Sequence, residues 1–217
     1  KGRKNGRGFY TYAAAGSPEV VADAQTPAEG TRAGVEVRTI ESVGVIGSGT
    51  MASGIVEVFA KAGYAVTFVA RGQDKVDGVL SAIAKSQAKM IERGRLTQEE
   101  ADAINGRIMG ATERTVLGDV DIVVEAIAED LAIKQELFRD LDQICKPGAI
   151  LATTTSSLPI IDCANVTSRP GDVIGMHFFN PAPIMKLVEV IRGSATAQDV
   201  VATTMKLSKS LKKVPVV

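Results

Sequence analysis

Ser42-Val43-Gly44-Val45-Ile46-Gly47-Ser48-Gly49-Thr50-Met51-Ala52 is the stretch on which the fold turns: a short β-branched run that breaks into a glycine-punctuated bend. Beyond it, Met51, Ile55, Val58, Phe59 and Ala62 recur at helical spacing until Gly63 ends the pattern. Strand, tight turn and helix in that order put Gly47, Gly49 and the helix start at Thr50-Met51 where backbone N–H groups meet a pyrophosphate. A bare G-x-G-x-x-G pattern also reads as a simple strand-to-helix turn. The second strand that follows, Tyr64 to Ala70, favours dinucleotide binding. Ala52 takes the third glycine position, where a methyl group still permits close helix-to-strand packing.

Outward from that turn the chain keeps an alternating rhythm. A polar-faced helix runs to Gly94 with Val76, Leu80, Ile83 and Met90 on one side, and Thr97 with Glu100 forms a capping-box signature for a second helix. Together they predict an inserted helical hairpin. Asp121–Ile127, Ala149–Thr153 and Val173–Phe178 are apolar strand candidates, with a helix from about Leu131 to Cys145 between the first two. Their near-continuous apolarity indicates burial on both faces, as in a parallel sheet. Met185–Ile191 and Lys213–Val217 supply two last strands around a helix from about Ala197 to Leu211. The pattern predicts an α/β, Rossmann-like, doubly wound, mostly parallel sheet.

Composition narrows the partners. With 217 residues, 45% hydrophobic and 23% charged, the chain holds enough apolar material for one packed core and one main domain. Lys plus Arg and Asp plus Glu each number 25, so no global field favours nucleic acid or an anionic membrane, and a small molecule is the expected partner. No apolar run approaches a membrane span. Cys145 and Cys163 lack the spacing of a zinc site or disulfide framework, which fits a reducing cytoplasm, and no metal site is expected.

At the end of the second strand an NAD-binding fold presents an acidic side chain to the adenosine ribose. Here Ala70 stands there, followed by Arg71. A guanidinium suited to phosphate, with no carboxylate to repel one, makes NADP a competitor of NAD; alternatively Arg71 stacks on adenine or is merely solvated. His177, the only histidine, lies in Gly175–Ile191. A lone histidine in an apolar strand is commonly a core residue. The Asn180-Pro181-Ala182-Pro183 turn, however, can fold the next strand back and bring Glu189 beside the imidazole. Such a carboxylate fixes the tautomer and stabilises the imidazolium that forms when His177 accepts a proton, as alcohol oxidation requires.

The motifs GSGTMASGI, VVEAIAED, TTTSSLP and GMHFFNPAPIMKLVEV occur in the order seen in the 3-hydroxyacyl-CoA dehydrogenase family, and residues 42 to 191 resemble it. The resemblance implies hydride transfer between the 3-hydroxyl carbon of a 3-hydroxyacyl-CoA and a nicotinamide cofactor, in fatty-acid β-oxidation or 3-hydroxybutyryl-CoA metabolism. It implies that His177 is the general base and Glu189 its partner, with Ser156 and Asn180 hydrogen-bonding around the substrate oxygen and the base. Glu129 and Lys134 resemble positions on the nicotinamide-ribose side; their other reading is an acidic helix start and an ordinary surface lysine. Ser156-Ser157 equally suits a helix N-cap before Leu158. Ala70 replaces the family's usual acidic residue and Thr154 its usual asparagine, two departures on the cofactor side.

GRKNGRGFYTY, Gly2 to Tyr12, resembles the closing motif of the family's C-terminal helical domain, yet here it comes first. The expectation is a tandem parent protein: residues 1–12 the tail of one module, 13–39 a linker without regular structure, and 40–217 the dinucleotide-binding domain of the next. The other reading of residues 1–12 is a solvated basic arm. Lys1 is not an initiator methionine, and the helical domain that closes the acyl-CoA site and forms the homodimer is expected beyond Val217. The chain is then an enzyme domain that turns over weakly when isolated. The alternatives are a non-catalytic nucleotide-binding scaffold and a related dehydrogenase of a free hydroxy acid.

Overall fold

The structure, a computed structural model, describes residues 3–7, 11–17, 19–21 and 35–217. They fall into two compact units, Lys1–Glu36 and Val37–Val217. In the first, a 3-10 turn at Arg3–Asn5 precedes an antiparallel ribbon of β1 (Thr11–Tyr12) and β2 (Val20–Val21). The ribbon closes through Ala13 N–H to the Glu19 carbonyl at 2.9 Å and a Ser17-to-Ala14 turn at 3.1 Å. It lies partly within the stretch expected to lack regular structure, and two-residue strands are too short to announce themselves by periodicity. Residues 8–10 and 22–34, which carry part of the closing motif and of the linker reading, lie outside the described residues.

The second unit is built on one eight-stranded sheet. In chain order its elements are β3 (Ser42–Ile46), α1 (Thr50–Lys61), β4 (Ala65–Val69), α2 (Gln73–Glu92), α3 (Gln98–Asn105), β5 (Ile108–Ala111), β6 (Ile122–Glu125), α4 (Leu131–Ile144), β7 (Ile150–Thr153), α5 (Ile160–Ala164), β8 (Val173–Phe178), β9 (Leu187–Ile191), α6 (Gln198–Ser210) and β10 (Val214–Val216). The strand order is β10-β9-β8-β7-β6-β3-β4-β5. From β5 to β8 every pairing is parallel, while β9 runs antiparallel to β8 and β10 parallel to β9. Read from β3, the chain winds outward through β4 and β5, returns to β6 and winds the other way. This is the doubly wound Rossmann order, with its reversal between β3 and β6.

Burial on both faces explains the apolar strands. Val43, Val45, Ile122, Val124, Ile150 and Ala152 help build two hydrophobic layers together with Val123 and Leu151. One layer is closed by α1, α2 and α6 through Ile55, Phe59, Val79, Val200 and Leu207. The other is closed by α4 and α5 through Leu137, Phe138, Leu141 and Cys163. The α2–α3 hairpin is held by reciprocal amide hydrogen bonds between Gln87 and Asn105 at 2.9 and 3.1 Å, and α3 starts in the expected capping box of Thr97 and Glu100. Arg38 fastens the segment before β3 to the unit through Asp172 at 2.7 Å and Asp199 at 2.8 Å.

The sequence pattern leaves two elements unseen. β5 is four residues with a glycine among them, and it becomes a strand by pairing along β4. The five-residue α5 begins at Ile160 with Pro159 in the N-cap position, so neither Ser156 nor Ser157 caps a helix. Pro159 enters with a backbone angle already suited to a helix start.

Candidate active site at the carboxyl edge of the sheet

The parallel strands β3, β4, β6, β7 and β8 all end on one edge, and the reversal between β3 and β6 opens a crevice there. Gly47 leaves β3 with φ +139°, and a Cβ on it would meet the Ala126 carbonyl oxygen at 2.4 Å. Only glycine allows that turn to lie on the loop after β6. A Cβ on Gly49, by contrast, would meet nothing within 4 Å. Gly49 is also the N-cap of α1 and provides no side-chain cap. The first-turn N–H groups of Thr50, Met51 and Ala52 therefore face a space open to an anion. Ala52 is fully buried, as its packing role requires, and Met51 is half-buried. These features fit a dinucleotide pyrophosphate. Ala70 is buried just beyond β4, and Arg71 beside it is exposed.

The β8–β9 hairpin carries the histidine–carboxylate pair. His177 and Glu189 are directly opposite in the antiparallel register. The imidazole Nδ1 lies 2.8 Å from Glu189 Oε2. Thr153, the last residue of β7, is level with Gly175, so His177 stands two residues farther out on the carboxyl edge. Its side chain is 18% exposed and its ring lies 4.6 Å, centroid to centroid, from Phe179. The connecting turn is anchored from behind. Lys213 Nζ donates to the Ala182 carbonyl at 2.5 Å and the Met185 carbonyl at 2.8 Å, and burial together with nearby Lys61 lowers the pKa of Lys213. α1 reaches the same turn at Gly54, where a Cβ would lie 3.0 Å from Pro183 Cδ. Lys213 gives no sign of this task in the sequence, because its acceptors are backbone carbonyls about thirty positions away.

Between the glycine turn and the histidine lies a network centred on Glu129. Its Oε1 accepts from the Thr155 hydroxyl at 2.5 Å and from Ser156 N–H at 3.0 Å, with the Ser156 and Ser157 hydroxyls at 3.4 Å. Burial pushes the Glu129 carboxyl up. The Thr155 hydroxyl, the Ser156 N–H and Lys134 together outweigh it and hold the pKa below the ordinary value. Lys134 is not a surface lysine: it is fully buried, bonded to Glu125 Oε1, and its Nζ lies 3.5 Å from Glu129 Oε2. Helical periodicity puts residue 134 on the same face as Leu137, Phe138 and Leu141, which is the core face. Glu125 and Thr155 were not singled out in the sequence; the exposed Asn180 and half-buried Thr154 make no side-chain hydrogen bond among the described residues. Among those residues no cluster of His, Cys, Asp or Glu is placed to hold a metal ion, and no helix is long and apolar enough to cross a membrane.

A glycine turn at the head of α1 and a strand-order reversal beside it define a dinucleotide-binding α/β domain, with a histidine–carboxylate pair on the same edge. Residues 42–217 match the family 3-hydroxyacyl-CoA dehydrogenase, NAD binding domain, and the chain belongs to that family. It is 46% identical over 172 residues to 3-hydroxybutyryl-CoA dehydrogenase of Clostridioides difficile, a match covering 79% of this chain and 61% of that protein. It is 37% identical over 196 residues to the human peroxisomal bifunctional enzyme, covering 88% of this chain and 26% of that one. The crystal structure of 3-hydroxybutyryl-CoA dehydrogenase from Escherichia coli K12 superposes with a TM-score of 0.81 at 39% identity, covering 82% of this chain and 38% of that chain. The chain thus spans 61–62% of the length of several curated bacterial relatives it matches.

Proposed function

We propose that this chain is the cofactor-binding, base-bearing part of an enzyme that interconverts a 3-hydroxyacyl-CoA and its 3-oxo form. The observation that carries the reading is the 2.8 Å bond between His177 Nδ1 and Glu189 Oε2 on the same sheet edge as the glycine turn. With Nδ1 donating to the carboxylate, Nε2 keeps its lone pair and accepts the proton of the 3-hydroxyl as hydride leaves that carbon. Glu189 holds the ring orientation and stabilises the imidazolium. NAD, when bound, supplies the hydride acceptor. Gly47, Gly49, Thr50, Met51 and Ala52 receive its pyrophosphate; Ala70 and Arg71 flank its adenosine ribose. Glu129, Lys134 and Thr154 sit on the opposite side of the crevice, and Ser156 and Asn180 hydrogen-bond around the substrate oxygen and the base.

The same reading makes residues 1–12 the tail of a preceding module, 13–39 a linker and 40–217 the catalytic nucleotide domain. Exposed Val214 lies beside the turn that carries exposed Ile184 and Met185, its N–H bonded to the Lys186 carbonyl at 2.7 Å, and exposed Val216 continues along β9 level with Glu189. An apolar strip there suits a following helical domain that closes the acyl-CoA site and forms a homodimer. The isolated chain then binds nucleotide and turns over weakly. Its two free, buried cysteines and its bacterial relatives favour a cytoplasmic setting.

Titration with NADH and NADPH, followed by nucleotide fluorescence in this tryptophan-free chain, tests the cofactor half. NADH binding that is weakened about 30-fold in Gly49→Ala supports it, and tighter NADPH binding that is lost in Arg71→Ala assigns Arg71 to a 2′-phosphate. Absence of binding by either nucleotide at millimolar concentration refutes the reading. The substrate half is tested by oxidation of NADH with acetoacetyl-CoA in a chain extended through the helical domain, where His177→Ala must abolish turnover.

A further inference from the structure

Glu125 is the last residue of β6 and follows Ile122, Val123 and Val124, all fully buried. Nothing about a central parallel strand calls for a carboxylate there. Glu125 is itself fully buried; its Oε1 accepts from Lys134 Nζ and, at 3.0 Å, from Ile127 N–H. Its Oε2 is buried without a hydrogen-bond partner among the described residues. A buried ion pair with one oxygen unsatisfied is a poor way to stabilise a core, since apolar side chains of similar volume do as well or better. What the pair does achieve is placement. Ile127 lies in the loop between β6 and α4, the loop on whose Ala126 carbonyl the Gly47 turn rests. Lys134 lies on α4 and reaches from Glu125 to within 3.5 Å of Glu129. Glu129 then bonds across to Thr155 and Ser156 after β7.

In a doubly wound sheet the two halves of a dinucleotide lie on either side of the strand-order reversal. The glycine turn and the end of β4 serve the adenosine half, so the loops after β6 and β7 face the nicotinamide half, toward His177. We infer that Glu125 is a positioning residue for the nicotinamide half of the cofactor site: it holds Lys134 and the loop after β6 in place, and so keeps Glu129 joined to Thr155 and Ser156. Without the Glu125–Lys134 pair the loop after β6 loses its Ile127 anchor and Glu129 loses the ammonium held beside it, and the bridge between the two loops breaks. The inference rests on the cofactor reading above.

The test uses the chain as it stands, with ADP as a probe of the adenosine half and NADH as a probe of both halves, each titrated calorimetrically. Glu125→Gln is expected to weaken NADH at least tenfold and to leave ADP within twofold of wild type. Because a lone buried lysine can compromise folding, the paired variant Glu125→Leu with Lys134→Met removes both charges and is read alongside. It is expected to keep the wild-type melting temperature within a few degrees while still binding NADH at least tenfold more weakly. NADH binding at wild-type strength in the paired variant overturns the inference, because the pair is then only structural. Parallel loss of ADP and NADH in that variant overturns it equally. A wild-type chain that binds ADP but gains nothing from the nicotinamide half also overturns it. A wild-type chain that binds neither nucleotide overturns the cofactor reading itself and the inference with it.

Discussion

Replacing Gly49 with alanine separates the fold of the glycine turn from its use. The backbone at Gly49 is extended, with φ −82° and ψ −179°, which alanine adopts without strain, and the added Cβ meets no atom within 4 Å. Alanine is a poorer N-cap than glycine by up to about 1 kcal/mol. It also stiffens the unfolded chain, which returns about 0.4–1 kcal/mol. The net change in stability is close to zero, and the melting temperature should stay within about 2–4 °C of wild type. The methyl group nonetheless projects into the space over the first turn of α1. A pyrophosphate kept off that turn forfeits at least one hydrogen bond to a charged group, worth about 1.5–3 kcal/mol. At about 2 kcal/mol the NADH dissociation constant rises about 30-fold. Gly47→Ala gives the contrast: positive φ strain of about 1–3 kcal/mol adds to a backbone clash, so that variant loses the fold along with binding. The assay is NADH fluorescence titration paired with thermal melts. Gly49→Ala binding NADH within threefold of wild type would falsify the placement of the pyrophosphate on this turn.

In a chain extended through the helical domain, Glu189→Gln should lower kcat by about a hundredfold or more while leaving NADH affinity unchanged; equal losses in both would mean the hairpin had been disrupted. Lys213→Met, which frees the carbonyls of Ala182 and Met185, should lower kcat about tenfold with nucleotide binding intact, since a slightly misplaced base costs rate before affinity. Burial raises the Asp121 carboxyl, but Lys146, the N–H groups of Glu41 and Ser42 and the Ser42 hydroxyl outweigh it and bring its pKa down to about 2. A depressed folded-state pKa contributes stability above the unfolded value near 3.9 and loses it as pH falls, so the advantage over Asp121→Asn should be about 2 kcal/mol at neutral pH and vanish toward pH 2. Denaturant melts at pH 7, 5 and 3 measure it, and a pH-independent difference would contradict the assignment. Burial pushes the Cys145 and Cys163 thiols up to about 11, so a thiol reagent should label neither in the native chain and both after unfolding.

Signals written in consecutive residues were legible. Hydrophobic period and glycine placement marked β3, α1, β4 and the three parallel strands beyond, and the capping box marked the start of α3 within a residue. The His177–Glu189 contact was also within reach, because a turn between two apolar runs implies an antiparallel return. What stayed hidden depends on partners distant in the chain. β5 is a strand only because β4 offers it an edge. Glu125 reads as the end of an apolar run until Lys134 swings beneath it from α4. Thr155 bridges to Glu129, a role set by the direction in which the chain leaves β7.

The antiparallel return of β9 has a consequence for how this enzyme family can be altered. Because His177 and Glu189 face each other across a strand ladder, their alignment is stored in register. A one-residue slip within β8 turns His177, and one within β9 turns Glu189, to the opposite face of the sheet. The eight residues between Phe178 and Leu187 are held differently, by Phe179 against the imidazole and by the Lys213 bonds to the Ala182 and Met185 carbonyls, so their conformation does not rest on the ladder. Alignment along the rails and placement of the joining segment are thus separable: a change that spares the ladder but frees Ala182 and Met185 moves the turn while leaving His177 and Glu189 paired.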